Sequence, residues 1–200
     1  MTEEEISKAK LDLQTEVHKR AFYAEGTADF LKKRIRIHNK ILTANKYLSC
    51  ALPIALGGYT SVDSSSDFFE LLKYTVGILS TLVLLFSFYL IAADADNKSS
   101  QANQSFAFNF LLQTLYSDIA RIVMKNKSGD LIEIDAVFRS LTARDESNAT
   151  NDEKLVSNND KKLIMFDMLR KHNKECSVCK QVPEKFNKKT GCNNCGGVKK

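Results

Sequence analysis

"YTVGILSTLVLLFSFYLIAA", residues 74–93, runs twenty residues without a charge between Lys73 and Asp94. As a helix rising about 1.5 Å per residue it measures roughly 30 Å, the thickness of the hydrocarbon core of a bilayer. A helix that is apolar on every side can also lie at the centre of a large soluble core. A chain of 200 residues, 26% of them charged, offers little else apolar enough to surround it. The stretch therefore reads as a membrane span.

A second stretch precedes it: "YLSCALPIALGGYTSV", residues 47–62, bounded by Lys46 and Asp63. Its sixteen residues include Pro53, Gly57 and Gly58, so alone it also suits a buried or re-entrant segment. Lys46 can snorkel to lengthen its reach, Pro and Gly are tolerated in lipid-embedded helices, and Tyr47 and Tyr59 suit the two interfaces. The connector "DSSSDFFE" is too short to house a domain. Together the two stretches predict an antiparallel transmembrane hairpin.

The flanks orient it. "KKRIRIHNKILTANK", residues 32–46, carries six cations and no acid, whereas the connector offers Asp63, Asp67 and Glu70. Positive charge stays inside, which places both termini in the cytoplasm of a multi-pass membrane protein. The first thirty residues lack an apolar h-region, so no cleaved signal peptide is expected.

Four of the five cysteines fall near the C-terminus as two C-x-x-C pairs, Cys176/Cys179 and Cys192/Cys195, twelve residues apart. In a reducing cytoplasm such pairs read as metal ligands rather than disulfides. A redox dithiol would need a thioredoxin-like βαβ setting, which neither pair has. Zinc takes four thiolates at tetrahedral corners, so a closed structural zinc ribbon is predicted, with Gly196 and Gly197 supplying small residues and positive φ at the knuckle. Residues 170–200 carry nine Lys/Arg against Glu175 and Glu184. These lysines offset the net charge of a tetrathiolate site and suit anionic head groups, while nucleic acid is a possible but less favoured partner because only Phe186 is available for stacking.

The rest reads as helices. Ile6, Leu13, Val17, Ala21, Ala24, Ala28, Leu31 and Ile35 form one stripe, opened by a capping box at Thr2 and interrupted at Gly26. After the second span a continuing helix presents Phe108, Leu112, Leu115, Ile119 and Ile122, and a shorter one from Asp130 presents Leu131, Ile134, Val137 and Leu141. "ARDESNATNDE" reads as a loop, and "DKKLIMFDMLRKH" as the helix that delivers the ribbon. The fold class is an all-α membrane protein. Its parts are an N-terminal amphipathic helix and basic segment (1–46), the hairpin (47–93), a cytoplasmic helical region (94–146), a polar linker and helix (147–173) and the zinc ribbon (174–200).

His18, His38 and His172 belong to no triad pattern, there is no phosphate loop, and neither span carries a charged residue. The chain is expected not to be an enzyme. What the spans do carry is contact chemistry: small residues at Ala51, Ala55 and Gly58, at Gly77 and Thr81, with Ser80 and Ser87 a heptad apart. Such faces let helices approach closely, either within the hairpin or between chains lining a pore.

The layout resembles the SLATT proteins, two-transmembrane predicted effectors of bacterial conflict systems. The resemblance lies in the N-terminal helix ending in "KKRIRIHNKI", the two apolar stretches, and the long helix through "FNFLLQTLYSDIARIV". The tail resembles a mobile-element subgroup with two C-x-x-C pairs about eleven residues apart, one fewer than here. The resemblance implies a homo-oligomer that breaches the inner membrane when an upstream sensor or nucleotide-signalling protein detects infection. A membrane-anchored adaptor, with the ribbon recruiting a protein or nucleic acid, is the alternative.

Overall fold

The computed structural model describes residues 3–60, 67–126 and 131–198, and at 3, 52–53, 55–60 and 67–73 the backbone alone. Five helices follow in order, α1 (Glu3–Thr60), α2 (Asp67–Ala92), α3 (Ala95–Lys125), α4 (Ile132–Leu155) and α5 (Asn158–Lys171). The chain forms two compact units, one of Met1–Lys32 with Ala102–Lys200, the other of Lys33–Gln101.

In the first unit the stripe on α1 turns inward as its spacing requires, with Val17, Ala24, Ala28 and Leu31 all buried. Val17 and Ala24 join Leu112, Tyr116, Ile119, Ala120 and Val123 of α3 and Phe138 and Leu141 of α4 in one cluster. Each large side chain buried there contributes about 1.5–3 kcal/mol. The expected interruption at Gly26 does not occur, because α1 passes through it unbroken. A Cβ at Gly26 would lie 2.7 Å from both Ile164 Cγ2 and Met168 Cγ. The glycine is there to let α5 approach, not to end the helix.

Two faces differ from the expected ones. On α3, Leu115 and Ile122 are exposed and the inward side is Ser105, Asn109, Leu112, Tyr116 and Val123. On α4, Val137 is exposed while Phe138 and Leu141 are buried. The expected loop "ARDESNATNDE" is also helical, forming the second half of α4. Its polar residues are anchored: Asp145 accepts from Tyr116 Oη (3.2 Å) and Arg20 Nη1 (3.3 Å), and Asp152 accepts from Asn109 Nδ2 (2.8 Å) and from the Ser105 hydroxyl. Polar residues that find buried partners can be helix interior as readily as loop. Burial and the adjacent Asp145 carboxylate push the Tyr116 hydroxyl up to about 12. The helix α5 starts on a capping box between Ser157 and Asp160.

In the second unit α1 and α2 run antiparallel. Asn45 Nδ2 donates to Ser87 Oγ (3.1 Å), Ser49 Oγ lies 3.5 Å from the same oxygen, and Ser99 Oγ donates to Asn39 Oδ1 (3.2 Å). The second helix does not continue into α3 as expected. A turn at Ala93 and Asp94 separates them, with Asp94 left-handed at φ 53°. Among the described residues one segment, Tyr74–Ala92, is long and apolar enough to cross a membrane, and none of it is buried. The stretch at 47–62 runs partly outside the described residues, as do the capping residue Thr2 and most of the connector.

Candidate metal centre

After α5 the chain turns at Asn173 (φ 50°) and forms two knuckles of one design. In the first, Lys180 N donates to Cys176 O (2.8 Å) and Cys176 N to Gln181 O (3.0 Å). In the second, Gly196 N donates to Cys192 O (2.7 Å) and Cys192 N to Gly197 O (2.9 Å). The same offsets recur because each C-x-x-C turn must end in a left-handed residue, Lys180 at φ 55° and Gly196 at φ 63°. The twelve-residue connector is closed by an antiparallel bridge between Phe186 and Gly197 and by a turn in which Asn187 Oδ1 accepts from the N–H groups of Lys189 and Thr190.

This brings the four expected ligands together. The sulfurs of Cys176, Cys179, Cys192 and Cys195 all lie within 4.8 Å of one another. Cys179 Sγ and Cys195 Sγ are 3.8 Å apart, and a tetrahedral ion with metal–sulfur bonds of about 2.3 Å places its sulfurs about 3.8 Å apart. The donor set and its spacing thus fit a single metal ion. The fifth cysteine, Cys50, is exposed on α1 and not part of the group.

The sulfurs are not equivalent. Burial raises the Cys176 thiol, but the N–H groups of Cys179 and Val178 and the amide of Asn194, whose Nδ2 stands 3.5 Å from Sγ, outweigh it and lower it to about 6. Cys192 is lowered too, chiefly by the N–H of Cys195. Burial pushes Cys195 up to about 12 and moves Cys179 in the same direction, although Gly197 N donates to Cys195 Sγ at 3.4 Å. Cys179 and Cys195 thus resist ionisation, and a cation held between the four sulfurs would supply the field that favours their thiolates.

The ribbon is seated on the helices by residues that the spacing of cysteines does not reveal. Cys176 and Cys195 are fully buried and cluster with Leu169, flanked by Phe22 and Met165. Phe186 meets Phe166 edge to face at 5.5 Å, and Lys174 Nζ sits 5.5 Å over the ring of Phe22. The end of α5 is tied to α1 where Lys171 Nζ donates to Glu25 and Asp29, each at 2.7 Å. By contrast, Asn194, the partner of Cys176 Sγ, lies inside the second C-x-x-C and is legible in the motif itself.

The small residues expected to pack or line a pore lie on α1 and α2. Apart from its chain neighbours and the backbone of its own helix, Gly77 has no described atom within 4 Å of where a Cβ would stand, and Thr81 Oγ1 donates to Gly77 O (3.0 Å) within that helix. Ser87 is engaged by Asn45 across the hairpin, Ser80 is half-buried and Ala51 is exposed. The surroundings of Ala55 and Gly58 lie outside the described residues.

The model of one family, described as the mobilome CxxCx(11)CxxC protein, matches residues 14–198. The chain belongs to that family, with one residue more between its cysteine pairs than the description states. No curated protein and no solved structure matches it.

Proposed function

We propose that this member of the mobilome double-CxxC family is a membrane effector of a conflict or defence system, SLATT-like in plan, whose hairpins oligomerise and breach the inner membrane on a cytoplasmic signal. In this reading residues 47–93 cross the bilayer twice, both termini are cytoplasmic, and the four cysteines hold zinc. The observation that carries it is the exposed apolar face of α2. The segment Tyr74–Ala92 has no buried residue, and the Cβ position of Gly77 is open. Lipid or another copy must cover that surface, and an open glycine on a lipid-facing helix is where a second backbone approaches closely. No step in the reading is enzymatic.

The test is expression of the full chain with its genetic neighbours in bacteria, read by membrane potential, together with dye release from liposomes carrying the purified protein. Depolarisation and leakage that Gly77→Leu abolishes, with membrane insertion retained, is the expected result. Tight liposomes and an unchanged potential would hand the reading to a membrane-anchored adaptor. That second reading draws on Lys180, Lys185, Lys188 and Lys189, which are all exposed around the ribbon and offer a cationic face to a partner.

A further inference from the structure

Within the first unit a cavity of about 890 Å³ lies between α1, α4, α5 and the second knuckle. That is the size of a site for a small organic molecule. Its walls are rich in charge, and most of that charge is matched locally. Lys19 pairs with Glu16 at 3.4 Å, Arg20 with Asp145 at 3.3 Å and Lys161 with Glu153 at 3.1 Å.

Two wall charges are left over. The Asp152 carboxylate accepts from Asn109, Asn148 and Ser105, all neutral donors, so its charge is solvated but not cancelled. Lys162, half-buried on α5, has no hydrogen-bond or ion-pair partner among the described residues. A net anion entering the cavity meets the field of Asp152, and a net cation meets that of Lys162. A molecule with one charge of each sign satisfies both. The lining also includes apolar groups (Ala24, Val156, Ile164) and the side-chain amides of Asn158 and Asn193, which have no hydrogen-bond partner among the described residues. That pattern suits a backbone of amide groups and small side chains.

We propose that this cavity binds a zwitterionic amino compound, an amino acid or short peptide, with its ammonium group toward Asp152 and its carboxylate toward Lys162. Asn193 and Asn194 form one wall, and Asn194 also reaches Cys176 Sγ at 3.5 Å. Metal loading therefore shapes the site, and binding requires the ordered ribbon. The site is independent of whether the hairpin forms a pore and is measured without any membrane assay.

The experiment is titration calorimetry on the full chain in mild detergent, loaded with one equivalent of zinc. The probes are alanine, trialanine, N-acetyl-trialanine and trialanine amide. Free trialanine should bind, and each blocked form about tenfold or more weakly. Alanine and trialanine distinguish the amino acid from the peptide as source. Lys162→Ala should erase the preference for the free carboxylate while keeping that for the free ammonium. Asp152→Asn, which preserves shape, should do the reverse. Free and blocked peptides binding alike, no heat from any probe at millimolar concentration, or binding that survives removal of the metal would overturn the proposal.

Discussion

Lys180 and Gly196 hold the same place in the two knuckles: each is left-handed, each follows the second cysteine of its pair, and each donates its N–H to the carbonyl of the first. They differ in what surrounds them. A Cβ on Gly196 would stand 2.3 Å from Phe186 Cε2, and that ring is held by Phe166. The left-handed backbone costs an L-residue about 1–2 kcal/mol in itself. Gly196→Ala should therefore destabilise the ribbon by at least that much, while Lys180→Gly is neutral or stabilising by up to about 1 kcal/mol. Metal-release rates measured with a chromogenic chelator would show it, and an unaltered rate for Gly196→Ala would contradict the shared-design account.

One zinc per chain is expected, because a ribbon with a single bridged pair and little core of its own depends on the ion for its fold. Cys176→Ser and Cys195→Ser, at the two buried positions, should lower affinity for the metal and expose the ribbon to protease. Elemental analysis of purified protein checks the stoichiometry. Less than half an equivalent with four freely alkylated thiols would remove the metal from the account.

Gly26→Leu should separate α1 from α5. Four extra carbons would enter a contact where even a Cβ stands 2.7 Å from Ile164 and Met168, and overpacking of this kind costs about 1–3 kcal/mol. Gly26→Ala is the instructive control. Met168 can shift more readily than the β-branched Ile164, and the helix gains about 1 kcal/mol of propensity, so Gly26→Ala should cost less than Gly26→Leu. Thermal unfolding of the two variants against the parent separates packing from propensity.

Tyr116 predicts an alkaline limit for the helical unit. Its hydroxyl titrates at about 12 in the folded chain against an ordinary 10.0, because burial and Asp145 disfavour the phenolate. The associated stability is fully present below pH 10.0 and is lost as pH rises through about 12. Tyr116→Phe should start about 1 kcal/mol less stable for want of the Asp145 hydrogen bond, yet lose less between those two values. Circular dichroism across that window decides it. A parallel fall in both proteins would assign the loss to other groups.

The topology has its own test. Ser65→Cys in the connector should react with an impermeant maleimide in intact cells, and the ribbon cysteines should not. Labelling of the tail under the same conditions would reverse the orientation.

Periodicity was informative where apolar side chains alone make the contact. The inward line of Val17, Ala24 and Leu31 and the four gathered cysteines were both legible from spacing. It misled on α3 and α4, where the inward side includes Ser105, Asn109 and Tyr116 and is answered across the interface by Asp152 and Asp145. A polar residue that is buried because a partner awaits it carries no mark in the sequence around it. The same holds for Phe22 and Leu169, which lie against the sulfurs from distant or separate helices and contribute nothing to a cysteine motif.

Cys176 and Cys195 are buried against Leu169, beside Phe22, so the candidate metal centre shares an apolar cluster with helices α1 and α5. If the ribbon orders around an ion, a newly made chain without it would leave Phe22, Met165 and Leu169 without their cover and present a frayed end to proteases. Proteolytic turnover follows the population of such open forms. On the proposal that the four cysteines hold an ion, the cell's supply of that metal would then limit how much of this protein accumulates.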